Sequence, residues 1–164
     1  MSKNKKIFIS ILNFNGFELT DDCINSILKS DYQNFSLNII DNGSTDNSLI
    51  LLEKKYPDLN FIKIKSNCGF AGAQNRAFLE ALKSGEEYIY LMTNDTVIHE
   101  SALEEMLRLM ESDTSIGACS PKIYFHSHPD VLWFFGGDIN IKTGKPKLFS
   151  QYEKDVGQFE KNLF

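Results

Sequence analysis

Four short polar segments, each following an apolar run and preceding a helical pattern, constrain this chain more than any other feature. They are Asn13-Phe14-Asn15-Gly16, Asp41-Asn42-Gly43-Ser44-Thr45-Asp46, Asn67-Cys68-Gly69-Phe70-Ala71-Gly72-Ala73-Gln74-Asn75-Arg76 and Thr93-Asn94-Asp95-Thr96. A chain that repeats strand, polar turn and helix builds an α/β sheet, and in open sheets of that kind ligands bind in the crevice outside the carboxyl ends of the parallel strands. One edge then gathers a carboxylate, several amides, glycines, an Arg and a second carboxylate. Such an inventory suits a ligand that carries a base, a sugar and a charged diphosphate.

The apolar pattern supplies the elements between these turns. Ile7–Leu12 is a continuous apolar run, as expected of a strand buried on both faces. Leu19, Cys23, Ile27 and Leu28 recur at helical spacing, and Leu37–Ile40 is a second strand ending at Asp41. Ser44 or Thr45 can cap a helix whose apolar face holds Leu49, Leu52 and Tyr56 and which Pro57 stops. Phe61, Ile62 and Ile64 form a third strand, and the small-residue-rich stretch Ala71–Lys83 a helix closed by Gly85. Tyr88–Met92 is a fourth strand, and Ser101–Met110 a helix with Leu103, Met106, Leu107 and Met110 inward. After Gly117 the alternation ceases. Ile123–Phe125 and Val131–Phe135 read as strands on either side of a loop at 126–130, with turn signals at Gly136-Gly137 and Thr143-Gly144-Lys145-Pro146. Beyond Leu148 the periodicity fades.

With 164 residues the length predicts a single domain over 1–164, and domains near this size bury about 68–70% of their unfolded surface. A net charge of −5 argues against a broad nucleic-acid-binding surface, and the basic cluster Lys3, Lys5 and Lys6 reads as a solubilising tail. The three cysteines are widely spaced without a C-x-x-C, which argues against a metal knuckle or disulfide framework and fits a reducing, cytoplasmic setting. No apolar stretch approaches the roughly 18 residues of a spanning helix.

Taken singly, each turn has an ordinary reading. Asp41-Asn42-Gly43-Ser44 is also what a capped turn selects, and Asn94-Asp95 also suits a helix N-cap. Gly69 to Ala73 also suits tight helix packing, with Arg76 solvated. The turn after the first strand lacks the G-x-G-x-x-G of dinucleotide-binding folds, and no Walker A loop is present. A nucleotidyltransferase would show a turn rich in Gly and Arg or Lys after that strand, and Asn13-Phe14-Asn15 carries no cation. An acid at a buried strand's tip can hold a hard divalent cation, because Mg²⁺ takes one or two protein carboxylates and completes its shell from water and phosphate. Asp95 meets that requirement. His126 and His128 read as residues of a Pro-containing loop, and Trp133, Phe134 and Phe135 as packing residues.

The four segments in this order resemble family 2 glycosyltransferases, most closely the bacterial branch of rhamnosyltransferases and other polysaccharide-assembly enzymes. The resemblance runs from Ile7 to about Phe159. It implies a GT-A fold, a Rossmann-like, largely parallel sheet with alternating helices and hairpin strands towards the C-terminus. It also implies a nucleoside-diphosphate sugar donor, UDP- or dTDP-linked, a divalent cation (Mn²⁺ or Mg²⁺), and inverting transfer to a glycan or lipid-linked acceptor. By position, Asp41 would accept a hydrogen bond from the pyrimidine N–H, with Asn42 beside it, and Phe14 and Asn15 would line the base pocket. Asn67, Gly69, Asn75 and Arg76 would lie by the ribose and diphosphate, with Thr93 and Asn94 by the ribose. Asp95 would bind the metal. The family's D-x-D is reduced here to Thr93-Asn94-Asp95, and Gly136-Gly137-Asp138 resembles a segment near the donor sugar, which makes Gly137 a further candidate.

An inverting transfer needs a base for the acceptor hydroxyl, and the family supplies it from an acidic segment in an acceptor-binding half. Glu153, Asp155 and Glu160 are acidic but match no such segment, so no catalytic residue is assigned. The expectation is therefore the donor-binding part of a longer enzyme, with a catalytically incomplete nucleotide-sugar-binding module as the alternative. Its setting would be cytoplasmic, with room for peripheral association at the inner face of the membrane.

Overall fold

The computed structural model describes residues 5–149 and 152–158. Lys3, Phe159 and Glu160, which figured in the sequence reading, lie outside the described residues. The chain divides into two compact units, Met1–Glu105 and Met106–Phe164.

The first unit is built on four parallel strands: β1 (Ile7–Asn13), β2 (Phe35–Asp41), β3 (Asn60–Lys63) and β4 (Tyr88–Thr93). They lie in the order β3-β2-β1-β4. The order reverses between β1 and β4, which makes the carboxyl ends of these strands a topological switch point. Helices α1 (Phe17–Leu28), α2 (Ser48–Lys55) and α3 (Gly69–Ser84) connect them. Each expected strand of this unit is present within two residues of its predicted bounds.

Side chains alternate across β1. Phe8 and Leu12 point to the face covered by α3, where Ala73, Ala77 and Ala81 pack on Phe8 and Ile40 together with Ile62, Ile64 and Ile89. These alanines recur every fourth residue, so α3 approaches the sheet along a stripe of methyl groups. Asn13, with Ile7, Ile9 and Ile11, belongs to the opposite set, and α1 buries Thr20, Cys23, Ile24 and Ile27. The end of α3 is marked by Gly85 at φ +74°, a left-handed position that Gly adopts without steric penalty.

Three local expectations need correction. Helix α2 starts at Ser48, not after a Ser44 or Thr45 cap, because Ser44 is bound to Asp41 and the Oδ1 of Asp46 accepts the Ser48 N–H instead, at 3.0 Å. The turn at 93–96 does not cap a helix directly; Thr96 Oγ1 folds back on the Thr93 carbonyl at 2.7 Å, and α4 (Ala102–Ser112) begins later. Lys5 and Lys6 are not a free tail, since they pair with Glu87 and Glu86 at 2.9 and 3.1 Å.

The second unit takes up the chain within α4 and continues as two antiparallel hairpins. Strand β5 (Ile123–Phe125) pairs with β6 (His128–Phe134), and β7 (Gly137–Ile139) with β8 (Pro146–Leu148). The stretch expected to be a loop at 126–130 is a turn at His126-Ser127 that leads straight into β6. Segment 152–155 runs beside β6, with Leu132 N–H bonded to the Glu153 carbonyl and Tyr152 N–H to that of Leu132, both at 2.8 Å. Among the described residues no helix is long and apolar enough to cross a membrane.

Candidate functional site

The parallel register sets the site. Asn13 and Asp41 are the last residues of β1 and β2 and stand directly opposite one another. Both are buried, and Asn13 Nδ2 donates to Asp41 Oδ1 at 2.8 Å. The same oxygen accepts the Ser44 hydroxyl at 2.6 Å, while Oδ2 accepts, among the described residues, only the Ser44 N–H, at 3.1 Å. A carboxylate has about four lone-pair positions, so Oδ2 retains capacity for a further donor.

The loops around this pair are tied together by side chains. Asn15, in a left-handed conformation at φ +52°, donates its own N–H to Ser44 Oγ and accepts the Thr45 N–H at its side-chain oxygen at 2.8 Å. Asn42 is buried and joins the tip of β2 to the start of α3. Its amide donates to Asn67 Oδ1 at 3.1 Å and its oxygen accepts the Cys68 N–H at 3.0 Å. Asn67 in turn accepts the Gly69 N–H at 2.9 Å. Gly43 permits this closeness. Its φ is +76°, and a Cβ there would lie 2.7 Å from the Ser66 backbone.

At β4, Asn94 Nδ2 donates to Thr20 Oγ1 at 3.1 Å, and a Cβ on Gly16 would stand 2.6 Å from that amide nitrogen. Asp95 is exposed, and its carboxylate makes no hydrogen bond or ion pair among the described residues. Cys23, beneath this turn, is buried, and that burial, reinforced by the negative charge of Asp95, pushes its thiol up to about 12. Asn75 and Arg76, on the second turn of α3, are exposed, as is the ring of Phe14.

The predicted site residues of the first unit therefore divide into two groups. Asn15, Asp41, Asn42, Asn67 and Asn94 are committed to the framework of the edge, whereas Phe14, Asn75, Arg76 and Asp95 present their side chains to solvent. Gly69 holds φ +76° at the first residue of α3, and Thr93 lends its carbonyl to the turn. Gly137 belongs to the second unit, where a Cβ would meet the Lys147 carbonyl at 2.6 Å, so pairing with β8 accounts for glycine there.

Sequence reasoning assigned no role to Asn13, Thr20 or Gln74. Gln74 is buried, accepts the Ser10 hydroxyl at 3.0 Å and donates to the Met92 carbonyl at 3.4 Å. A polar residue within an otherwise apolar packing face was the available signal for it.

Of the acids noted near the C-terminus, Asp155 accepts from Lys122 Nζ at 2.8 Å, from the Tyr124 hydroxyl at 2.5 Å and from the Gly157 N–H at 3.0 Å. Led by the Lys122 bond, these hold its carboxyl down at about 2, far too weak a base to take a hydroxyl proton near neutral pH. Glu153 is exposed.

A divalent cation fits the donor set present. No group of three or more His, Cys, Asp or Glu converges among the described residues, so these residues form no all-protein cage of such ligands. A single uncommitted carboxylate at a strand tip is what a cation needs when phosphate oxygens and water complete its shell.

Comparison with known proteins places this geometry in context. The family described as Glycosyl transferase family 2 matches residues 8–156. A poly-beta-1,6-N-acetyl-D-glucosamine synthase of Staphylococcus epidermidis is 31% identical over 92% of this chain and 41% of its own length. The bifunctional glycosyltransferase pgtA of Dictyostelium discoideum is 30% identical over 64% of this chain and 14% of its own length. The chain thus spans about two fifths of the length of the first of these relatives. Among solved structures, S. aureus TarS 1-349 in complex with UDP-GlcNAc superposes with a TM-score of 0.58 at 21% identity, covering 65% of this chain and 31% of that one. Mannosyltransferase PcManGT from Pyrobaculum calidifontis, in complex with GDP-Man and Mn²⁺, gives 0.59 at 19% identity, covering 70% and 34%. These structural likenesses establish a fold shared with GT-A glycosyltransferases.

Proposed function

The chain belongs to glycosyl transferase family 2, and from that membership we propose that the carboxyl edge of β1, β2 and β4 binds the donor of a sugar transfer, a UDP-linked sugar. The acceptor is a glycan or a lipid-linked glycan, the product a bacterial cell-surface polysaccharide, and the setting the cytoplasmic side of the membrane. The observation that carries the reading is the state of Asp95. It is an exposed carboxylate left without a partner among the described residues at the tip of β4, on an edge whose buried polar groups are tied to one another.

In this reading Asp41 Oδ2 accepts the N–H of the pyrimidine with the capacity it retains, and Phe14 covers the base. Arg76 meets the diphosphate as a two-pronged donor, near the positive end of the α3 dipole, with Asn75 alongside. Asp95 would hold a divalent cation, which when bound neutralises charge on the diphosphate and stabilises it as a leaving group. Transfer inverts the anomeric centre, and no base is assigned among the described residues. The sugar is proposed to be an N-acetylhexosamine, on the strength of the 31% identical relative. The sequence resemblance to rhamnosyltransferases makes dTDP-rhamnose the competing donor.

The test is calorimetric titration of the chain with UDP, UDP-N-acetylglucosamine and dTDP-rhamnose, each with Mn²⁺ and with EDTA. Metal-dependent binding of the uridine ligands is the expected result. Failure of every nucleotide to bind in Mn²⁺ would overturn the reading, and preference for the thymidine ligand would replace the donor.

A further inference from the structure

A chain of hydrogen bonds, part-buried at Asn94 and buried beyond it, runs from the tip of β4 to the tip of β2. Asn94 Nδ2 donates to Thr20 Oγ1 at 3.1 Å, Thr20 Oγ1 donates to Asn13 Oδ1 at 2.7 Å, and Asn13 Nδ2 donates to Asp41 Oδ1 at 2.8 Å. Asn13 and Thr20 are both wholly buried. The direction of the chain is forced. A threonine hydroxyl has one proton, and Thr20 gives it to Asn13, so towards Asn94 it can only accept. The Asp41 carboxylate only accepts, so the Asn13 NH₂ faces it and the Asn13 oxygen accepts the hydrogen bond from the Thr20 hydroxyl. Every donor therefore points towards the charge on Asp41, and each bond polarises the next.

We propose that Thr20 and Asn13 are positioning residues for donor binding, which hold the Asn94-Asp95 turn in fixed register with Asp41 so that one ligand reaches both carboxylates. The inference rests on the reading of Asp41 as the base contact and Asp95 as the cation contact. Neither Thr20 nor Asn13 touches the ligand; they act through Asn94 and Asp41. Without the Thr20 hydroxyl the turn keeps its own Thr96–Thr93 bond and the pairing of Thr93 with Leu12 but loses the side-chain tie of Asn94 to β1, and Asp95, beyond the last paired residue, is no longer held where the phosphates of a base-anchored nucleotide lie. Binding of the base is preserved while the contribution of the cation is lost.

The experiment compares Thr20→Val, which keeps the shape and removes the hydroxyl, with Thr20→Ser, which restores it. UDP affinity is measured for each with Mn²⁺ and with EDTA, and a thermal melt checks folding. In Thr20→Val the gain in affinity conferred by Mn²⁺ should fall about ten-fold, in line with the loss of a buried bond, while affinity in EDTA stays within about two-fold. Thr20→Ser should recover the gain. Should Thr20→Val not fold, Thr20→Ala provides the same comparison without added bulk at Cγ. An unchanged Mn²⁺ gain in the hydroxyl-less variant, or an equal loss with and without metal, overturns the inference. If the wild-type chain binds UDP no better with Mn²⁺ than with EDTA, the cation reading of Asp95 fails first and the inference falls with it.

Discussion

Asn42 and Asn67 are joined side chain to side chain, the Nδ2 of the first donating to the Oδ1 of the second at 3.1 Å. Because Asn42 also accepts the Cys68 N–H, one buried amide fixes the start of α3 against the tip of β2. Asn42→Ala leaves the Cys68 N–H without its acceptor at a cost of about 1–3 kcal/mol. A lowered melting temperature together with faster amide exchange at residues 67–70 is the expected outcome. A melt identical to wild type would show that water replaces the amide without loss.

Asp41→Asn retains the size of the side chain and removes its charge. A hydrogen bond to a charged group is worth about 1.5–3 kcal/mol, so UDP affinity should fall by roughly ten-fold or more in titration calorimetry. Unchanged affinity would remove Asp41 from the base pocket and leave it a purely structural anchor for Asn13 and Ser44.

Asp95→Asn should abolish the difference between UDP binding in Mn²⁺ and in EDTA while leaving the melting temperature close to wild type, because the exposed carboxylate bonds to no other described residue. A large loss of stability would contradict the uncommitted state of that side chain.

The Lys122–Asp155 pair sets a pH dependence in the second unit. The folded-state pKa of Asp155 lies below that of an unfolded aspartate, so its contribution is complete above about pH 4. Stability is lost as the pH falls from there towards about 2, where the folded form protonates. Acid titration followed by tyrosine fluorescence should show this loss, and Asp155→Asn should flatten the dependence in that window. Tyr124, raised to about 12 by burial and by its bond to Asp155, should remain protonated through mildly alkaline titration.

The three cysteines should separate by reactivity. Cys68 is exposed, Cys119 is partly buried with its thiol raised by that burial, and Cys23 is buried with its thiol at about 12. A thiol reagent at neutral pH should modify Cys68 first and leave Cys23 untouched until the chain unfolds, as mass spectrometry of timed samples would reveal. Ligand bound at the start of α3 should slow the reaction at Cys68.

The strands of the first unit were legible because their apolar runs are long and end in turn residues, and Gly85 announced the end of α3. The resemblance likewise named most of the edge. What the sequence could not convey was which amides are occupied. Asn13 and Asn75 are the same residue type, yet one is locked between Thr20 and Asp41 and the other is exposed, because β1 and β2 run for equal lengths in a register that sets Asn13 against Asp41. The start of α2 was misplaced for a related reason: Ser44, a good local cap, is drawn to the Asp41 carboxylate instead. Both strands of the hairpin at 123–134 were foreseen, but the second was started three residues late because His128, Pro129 and Asp130 have low strand propensity, and pairing with β5 overrides it.

The stripe of Ala73, Ala77 and Ala81 bears on how a protein of this design can change its preferences over time. All three lie buried against the sheet, so no larger side chain enters without lifting α3 and carrying Asn75 and Arg76 away with it. The spacing of that helix is in this sense frozen. Divergence in what the edge recognises is channelled instead to exchange of the outward residues themselves, at positions 14, 75, 76 and 95, where a substitution alters chemistry without disturbing the packing beneath.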